Sequence, residues 1–281
     1  MNRIEVHDLY FSYGRQTGEQ NRSDHAVLRG ITLSFDSTPT AIIGQNGAGK
    51  TTLVKLLKGL LKPGSGTIRI NDMDTRKATV AQLAKQIGLV FQNPNDQIFK
   101  NSVIDEVMFG PLNIGQTPAA ARANSLAALQ MVGLDGSLDS HPYDLSLSER
   151  KLVCIAAILA MRNEIIILDE PTIAQDHAGK ERIKRIIRDL RDQGKLVITI
   201  IHDMDFVAEV FERTVALQQG RVLLDGDTRT VFGAADLLYQ ANLEPPHVTQ
   251  LCKKLGYNEI FLTVEEFVAY KLNAAKRLES M

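Results

Sequence analysis

The stretch GQNGAGKTT, residues 44 to 52, decides the fold. It satisfies the spacing G-x-x-x-x-G-K-[ST], in which glycines let the backbone curl so that its N–H groups point inward at phosphate oxygens. Gly44, Gly47 and Gly49 supply that freedom, with Gln45, Asn46 and Ala48 between them. The helix expected to follow brings the partial positive charge of its N-terminus to the same point. Lys50 is the residue to reach the β- and γ-phosphates, the Thr51 hydroxyl is a ligand for Mg²⁺, and Thr52 completes the nucleotide-binding set. A glycine-rich turn with a chance lysine would share the composition but not the setting. TPTAIIG (38–44) reads as a short apolar strand entering the loop, and a helix is predicted to leave it.

Working outward, IIILDE (165–170) is an apolar strand ending in two acids. A buried strand that delivers Asp169 at its C-terminal edge can hold Mg²⁺ opposite the phosphate loop, and Glu170 is then placed to polarise an attacking water. Paired acids at a strand end also occur as solvated turns. Beside the phosphate loop they specify a nucleoside triphosphatase of the P-loop class.

The rest of the chain fits an α/β arrangement. IIIL (165–168) and LVITII (196–201) are continuous apolar strands, the pattern of a parallel sheet covered on both faces. Ile183, Ile186, Ile187 and Leu190 recur at helical spacing within 178–193, with Gly194 placed to end that helix. Residues 117–132 read as a second helix opened by Pro118, residues 4–13 and 62–70 as strand segments, and RQTGEQNRSDH (15–25) as an exposed loop. Beyond about residue 228 strand signals stop, and the tail to 281 reads as helical with a break at EPP (244–246). The longest apolar run is strand-sized, well short of the ~18 residues a membrane span needs. The N-terminus lacks the basic start and apolar stretch of a secretory signal. Lys+Arg 32 against Asp+Glu 33 gives no basic face for nucleic acid. Cys154 and Cys252 form no metal or redox spacing and read as buried thiols of a reducing compartment.

With these residues in hand, the chain resembles the ATP-binding cassette (ABC) ATPases over about residues 3–228. Further matches carry the resemblance: Tyr13 in FSYG, Gln92 in VFQNP, LSLSE (145–149), Asp176 after DEPT, and His202 in IIHD. The resemblance implies a P-loop NTPase fold with a RecA-like core, a mixed sheet and a helical subdomain at about 93–158. It makes 1–228 a nucleotide-binding domain and 229–281 a small appended helical domain. It further implies that Tyr13 stacks on adenine, that Gln92 contacts Mg²⁺ and couples to a transporter, that Asp176 belongs to a segment reaching across a dimer, and that His202 contacts the γ-phosphate of ATP. A narrower resemblance lies in FQNPNDQIFKNSVIDEVMFGPLNIG (91–115), which is similar to the energy-coupling-factor ATPases of vitamin and cobalt importers. There, Gln97 belongs to a short helix lining a groove for the transmembrane coupling protein, contacted near Gln92–Val103. That group implies a peripheral subunit on the cytoplasmic face of the membrane, a second ATPase held partly by the tail, and a separate membrane component that binds the cargo.

In the resembled family two ATPases face each other, and each ATP lies between one chain's phosphate loop and the other's LSGGQ signature. Here that signature reads Leu145, Ser146, Leu147, Ser148, Glu149, and the usual AGLDP reads Ile173, Ala174, Gln175, Asp176, His177. Ser146 and Glu149 keep the S-x-x-E spacing of a capping box, so the helix is expected to start at the same point with its N–H groups available. Leu147 puts a side chain where a phosphate must approach, and Glu149 adds negative charge. Both departures fall on what the chain offers a partner, while Lys50, Thr51, Gln92, Asp169, Glu170 and His202 of its own half-site are intact. This favours a heterodimer, with a homodimer as the competing arrangement. The ATPase of another ABC importer, with an ordinary tail, is the nearest alternative; a regulatory or scaffolding subunit with little hydrolysis is the rival from another class, and a cassette acting on nucleic acid or ribosomes is a more distant one.

Overall fold

The computed structural model describes residues 3–14 and 26–279, so the loop expected over 15–25 lies outside the described residues. From the N-terminus, β1 (Ile4–Phe11) and β2 (Leu28–Phe35) pair antiparallel. β3 (Thr40–Gly44) enters the phosphate loop and α1 (Lys50–Leu57) leaves it. β4 (Ser65–Ile70) and β5 (Met73–Asp74) return to the first sheet, and α2 (Val80–Gln86) leads to β6 (Ile87–Val90). Three longer helices follow: α3 (Val103–Asn113), α4 (Pro118–Val132) and α5 (Leu147–Met161). Next come β7 (Ile165–Asp169), α6 (His177–Asp192), β8 (Leu196–Ile200) and α7 (Met204–Val210). A hairpin of β9 (Arg213–Gln218) and β10 (Arg221–Asp227) precedes α8 (Thr228–Gly233), α9 (Ala235–Gln240), α10 (His247–Lys254) and α11 (Val264–Glu279).

The strands form two sheets. One is antiparallel in the order β2-β1-β4-β5; the other runs β10-β9-β3-β8-β7-β6 and is parallel from β9 to β6. Every residue of β3, β7 and β8 is buried, which is why their apolar runs are unbroken. The parallel order has a chemical consequence. The C-terminal ends of β3, β8, β7 and β6 emerge side by side, so the phosphate loop, His202, Asp169–Glu170 and Gln92 reach one edge of the sheet.

The helices form where their residues predict. Thr117 caps α4 through the Ala120 N–H, with Pro118 in the first turn, where a missing N–H costs nothing. Ile183, Ile186, Ile187 and Leu190 of α6 are all buried. Gln193 is the cap of that helix, and Gly194 is the residue beyond it, at φ +72°. The main apolar core runs through α3–α7 and the second sheet and continues into Val231, Phe232, Leu238 and Leu243 of the tail. Val248, Cys252 and Phe261 pack separately under Tyr257 and Phe267, while Ile260 and Leu262 return to the main core. The break at EPP falls between α9 and α10 as expected. Cys154 and Cys252 are buried and unpaired, and burial pushes the Cys154 thiol up to about 12. Among the described residues no helix is long and apolar enough to cross a membrane.

Candidate nucleotide site

Gly49 ends the phosphate loop at φ +101°, and a Cβ there would stand 2.6 Å from Leu28 Cδ2. The position therefore needs glycine twice over, for its left-handed backbone and for its neighbour. Lys50 is buried at the start of α1, and its Nζ donates to the carbonyls of Gly44 (2.6 Å) and Gln45 (3.0 Å). Burial holds its ammonium below the ordinary lysine range against the pull of Glu170 and Asp169. Tyr13 lies just past the end of β1, half exposed, with its ring edge-on to Phe11 and its hydroxyl 3.1 Å from Thr52 Oγ1. Strand and tyrosine thus reach the loop.

Across the sheet edge, Glu170 is nearly buried and sits at φ +49°, a left-handed conformation that costs a non-glycine residue about 1 kcal/mol or more. Its N–H is held by the carbonyl of Ile200 at 3.0 Å. Its carboxylate is gripped from both sides: Gln92 Nε2 donates to Oε2 at 3.0 Å, and His202 Nε2 lies 3.0 Å from Oε1. A carboxylate aimed in this way has little freedom left to lose when it takes a proton from water.

Asp169, one residue earlier, is buried, and burial together with the Glu170 carboxylate pushes it up to about 6. Its Oδ1 has no hydrogen-bond partner among the described residues, while the Thr51 hydroxyl bonds the same carboxylate. A bare acceptor oxygen beside a hydroxyl suits a hard divalent cation, which takes oxygen ligands. Thr51, Asp169 and the Gln92 amide oxygen are thus a fitting ligand set for Mg²⁺.

Lys151 carries no motif signal. It is 2% exposed on α5, and its Nζ donates to the carbonyls of Phe91 (2.7 Å), Gln92 (2.9 Å) and Asp169 (2.8 Å). Burial pushes its ammonium down to about 8. One buried amine thereby fixes the backbone of both Gln92 and Asp169. Its trace in the sequence is slight: a lysine closing the polar stretch SERK just before the apolar run LVCIAAILA. Gln97, expected in a short helix, instead follows a 3-10 turn, with its amide turned inward to the Phe91 N–H and the Cys154 carbonyl.

The altered signature lies at the start of α5. Ser146 is the N-cap, and the capping box is complete: the Glu149 N–H donates to Ser146 Oγ, and the Ser146 N–H donates to Glu149 Oε2 at 2.9 Å. The Ser146 hydroxyl also donates to Glu149 Oε2, and these bonds hold the Glu149 carboxyl below its usual range. The helix starts where the S-x-x-E spacing predicts, and the box uses part of the N–H groups at that start. The box occupies those of Ser146 and Glu149 together with the serine hydroxyl, leaving Leu147 exposed over the turn. Asp176 caps α6 through the Gly179 N–H at 2.7 Å.

A cleft of about 670 Å³ joins Gln45, Asn46 and His202 to the tail segment Asn242–His247. The tail is fastened there: the His247 N–H donates to Asp205 Oδ1 at 2.9 Å, and the His247 ring contacts the same carboxylate. Asp205 lies in the first turn of α7, just past His202.

A loop that wraps phosphates, a site suited to a divalent cation and a restrained carboxylate between them can bind a nucleoside triphosphate and activate water against its terminal phosphate. That chemistry, on a parallel sheet with these loop ends, defines a P-loop nucleoside triphosphatase. The "ABC transporter" family model matches residues 28–173, and the chain belongs to that family; it is an ATPase of the ABC transporter type. A putative ABC transporter ATP-binding protein of Pyrococcus furiosus is 40% identical over 266 residues, covering 94% of this chain and 98% of that protein. An energy-coupling factor transporter ATP-binding protein of Caldanaerobacter subterraneus subsp. tengcongensis is 35% identical over 273 residues, 94% of each chain. Among solved structures, cbiO1 from Clostridium perfringens, part of the ABC transporter complex cbiONQ, superposes with TM-score 0.71 at 31% identity, over 89% of this chain and 98% of that one. A dimeric ATP-binding cassette in a post-hydrolysis state with ADP and Pi gives TM-score 0.72 at 26% identity, over 80% of this chain and 99% of that one.

Proposed function

We propose that this ATPase is the energy-coupling subunit of an energy-coupling-factor importer for a vitamin or metal ion. In this reading residues 1–228 form the nucleotide-binding domain and 229–281 an appended helical domain, at the cytoplasmic face of the membrane. The observation that carries the catalytic part is the double restraint on Glu170 by Gln92 and His202. Glu170 takes the proton of the attacking water, His202 steadies Glu170 and faces the γ-phosphate, and Lys50 neutralises phosphate charge. Thr51, Asp169 and Gln92 would hold Mg²⁺, which when bound offsets the negative charge of the β- and γ-phosphates. Tyr13 supplies the adenine platform.

Coupling to the membrane runs through residues 92–103. The exposed rings of Phe99 and Phe109 meet edge to face at 4.6 Å, with Lys100 Nζ over both. Buried Glu106 accepts the N–H groups of Phe99 (3.0 Å) and Lys100 (2.8 Å), so the patch stands on a fixed backbone. Exposed aromatics held rigid suit a protein partner. Co-purification from the native membrane tests the reading. Two different ATPases with two membrane proteins are the expected yield, and a chain that brings no membrane protein would refute it.

In this reading the partner is a second ATPase of different sequence, because the Leu147 side chain and the Glu149 charge fall only on the face offered across the dimer. With this chain's own half-site silenced by Glu170→Gln, Leu147→Gly is expected to raise the remaining ATPase turnover of the reconstituted pair by roughly tenfold, since it removes a side chain from the path of the phosphate. Unchanged turnover would remove the steric argument. The tail adds a second grip: Val264, Val268 and Leu272 lie one turn apart on one exposed face of α11. Val268→Asp with Leu272→Asp is expected to weaken the pair about tenfold or more, read by light scattering on diluted complex, while nucleotide binding holds.

A further inference from the structure

The two segments that depart from the family pattern meet in space. Ser148, in the first turn of α5, and Gln175, ahead of α6, are 27 positions apart in the chain. The Ser148 hydroxyl donates to Gln175 Oε1 at 3.0 Å, and Gln175 Nε2 donates to the Ser148 carbonyl at 3.1 Å. Gln175 is only 9% exposed, so its amide is spent almost wholly on one residue. The backbone around it is shaped to the same contact. A Cβ on Gly179 would stand 2.3 Å from Gln175 Oε1, so the absence of a side chain at 179 leaves the amide its present place. Ala174 takes φ +60°, a left-handed conformation that an alanine holds only when its surroundings impose it.

Resting on the dimer reading above, we propose that Gln175 is a positioning residue. It straps the first turn of α5 to the segment bearing Asp176, so that the whole face shown to the partner's nucleotide moves as one body. Ser148 and Gln175 are then a matched pair, and the departures at 148 and 175 are one change rather than two losses. Unmatched, either member leaves a polar group without its partner beside buried backbone. Lys151, one turn further along α5, ties the same helix to Gln92 and Asp169. The strap therefore lies on a route from the chain's own half-site to the face it presents.

A double-mutant cycle on the purified ATPase pair tests this, with kcat, KM for ATP and Tm measured for Ser148→Gly, Gln175→Leu and the double variant. Read in a pair whose other site is silenced by Glu170→Gln in this chain, each single change is expected to lower the remaining kcat about tenfold with KM within about twofold, since the partner's phosphate loop still binds ATP. The double variant is expected to be no worse than the poorer single. Losses that multiply to about a hundredfold would overturn the pairing. Singles with unaltered kcat, or with kcat falling only in step with the loss of folded protein, would overturn the positioning role. If the purified complex holds two copies of this chain, the heterodimer reading fails while the cycle, run without Glu170→Gln, is still read on the same ratios, so the two failures stay apart.

Discussion

Glu170→Gln is expected to lower ATP turnover by about 10²- to 10⁴-fold, the range assigned to a positioned general base. The amide is nearly isosteric and can still accept from one neighbour, so the left-handed backbone at this position is disturbed little. What it cannot do is take a proton. Lys50, the phosphate loop and Tyr13 are untouched, so affinity for ATP stays close to that of the parent. Binding without turnover makes the ATP-bound pair accumulate, which light scattering with and without ATP reports. In the assembled transporter the same variant measures how much of the work passes through this half-site. Near-normal turnover would place the hydrolysis in the partner and favour the regulatory-subunit reading.

Lys151→Met is expected to cost about 3 kcal/mol of stability and about a hundredfold in turnover. Methionine keeps the volume and the packing on α5 but removes donors from three carbonyls, and a bare buried acceptor costs about 1–3 kcal/mol. Relief from burying an ammonium offsets part of the sum. For a chain of this length the loss corresponds to roughly 6–12 °C in Tm. The kinetic effect follows from which carbonyls lose support. Those of Gln92 and Asp169 belong to the grip on Glu170 and to the cation site, so both shift together. Lys151→Arg is not expected to rescue, because a planar fork cannot converge on three carbonyls as an ammonium does. Calorimetry and steady-state kinetics on the same preparation separate the two effects.

Why some of this was legible in the sequence and some was not follows from the range of each interaction. The phosphate loop can be read because its conformation demands glycine at fixed spacing, and Gly49 against Leu28 shows how strict the demand is. The capping box at Ser146 is equally local, closing within four residues. The order in which Gln92, Asp169, Glu170 and His202 appear in the chain could be matched to a family, and the parallel sheet explains why they converge. Bonds that depend on packing left weaker traces. Ser148 and Gln175 read as two separate departures until the fold brought them within 3.0 Å. Lys151 closes the polar stretch SERK, and nothing local to it names the three carbonyls it reaches. The tail's helices were legible by composition, but nothing marks Val231, Phe232 and Leu238 as members of the main core rather than of a core of their own.

The clasp between His247 and Asp205 gives the tail a mechanical meaning. Followed along the chain, the tail begins far from the phosphate loop; through this clasp it hangs from the short helix just past His202. A second tie, from Glu266 of α11 to Arg229, fastens the far end of the tail, so α11 is linked to the cassette at two points. In the pairing proposed above, a partner that grips α11 is linked through these ties to the segment just past His202.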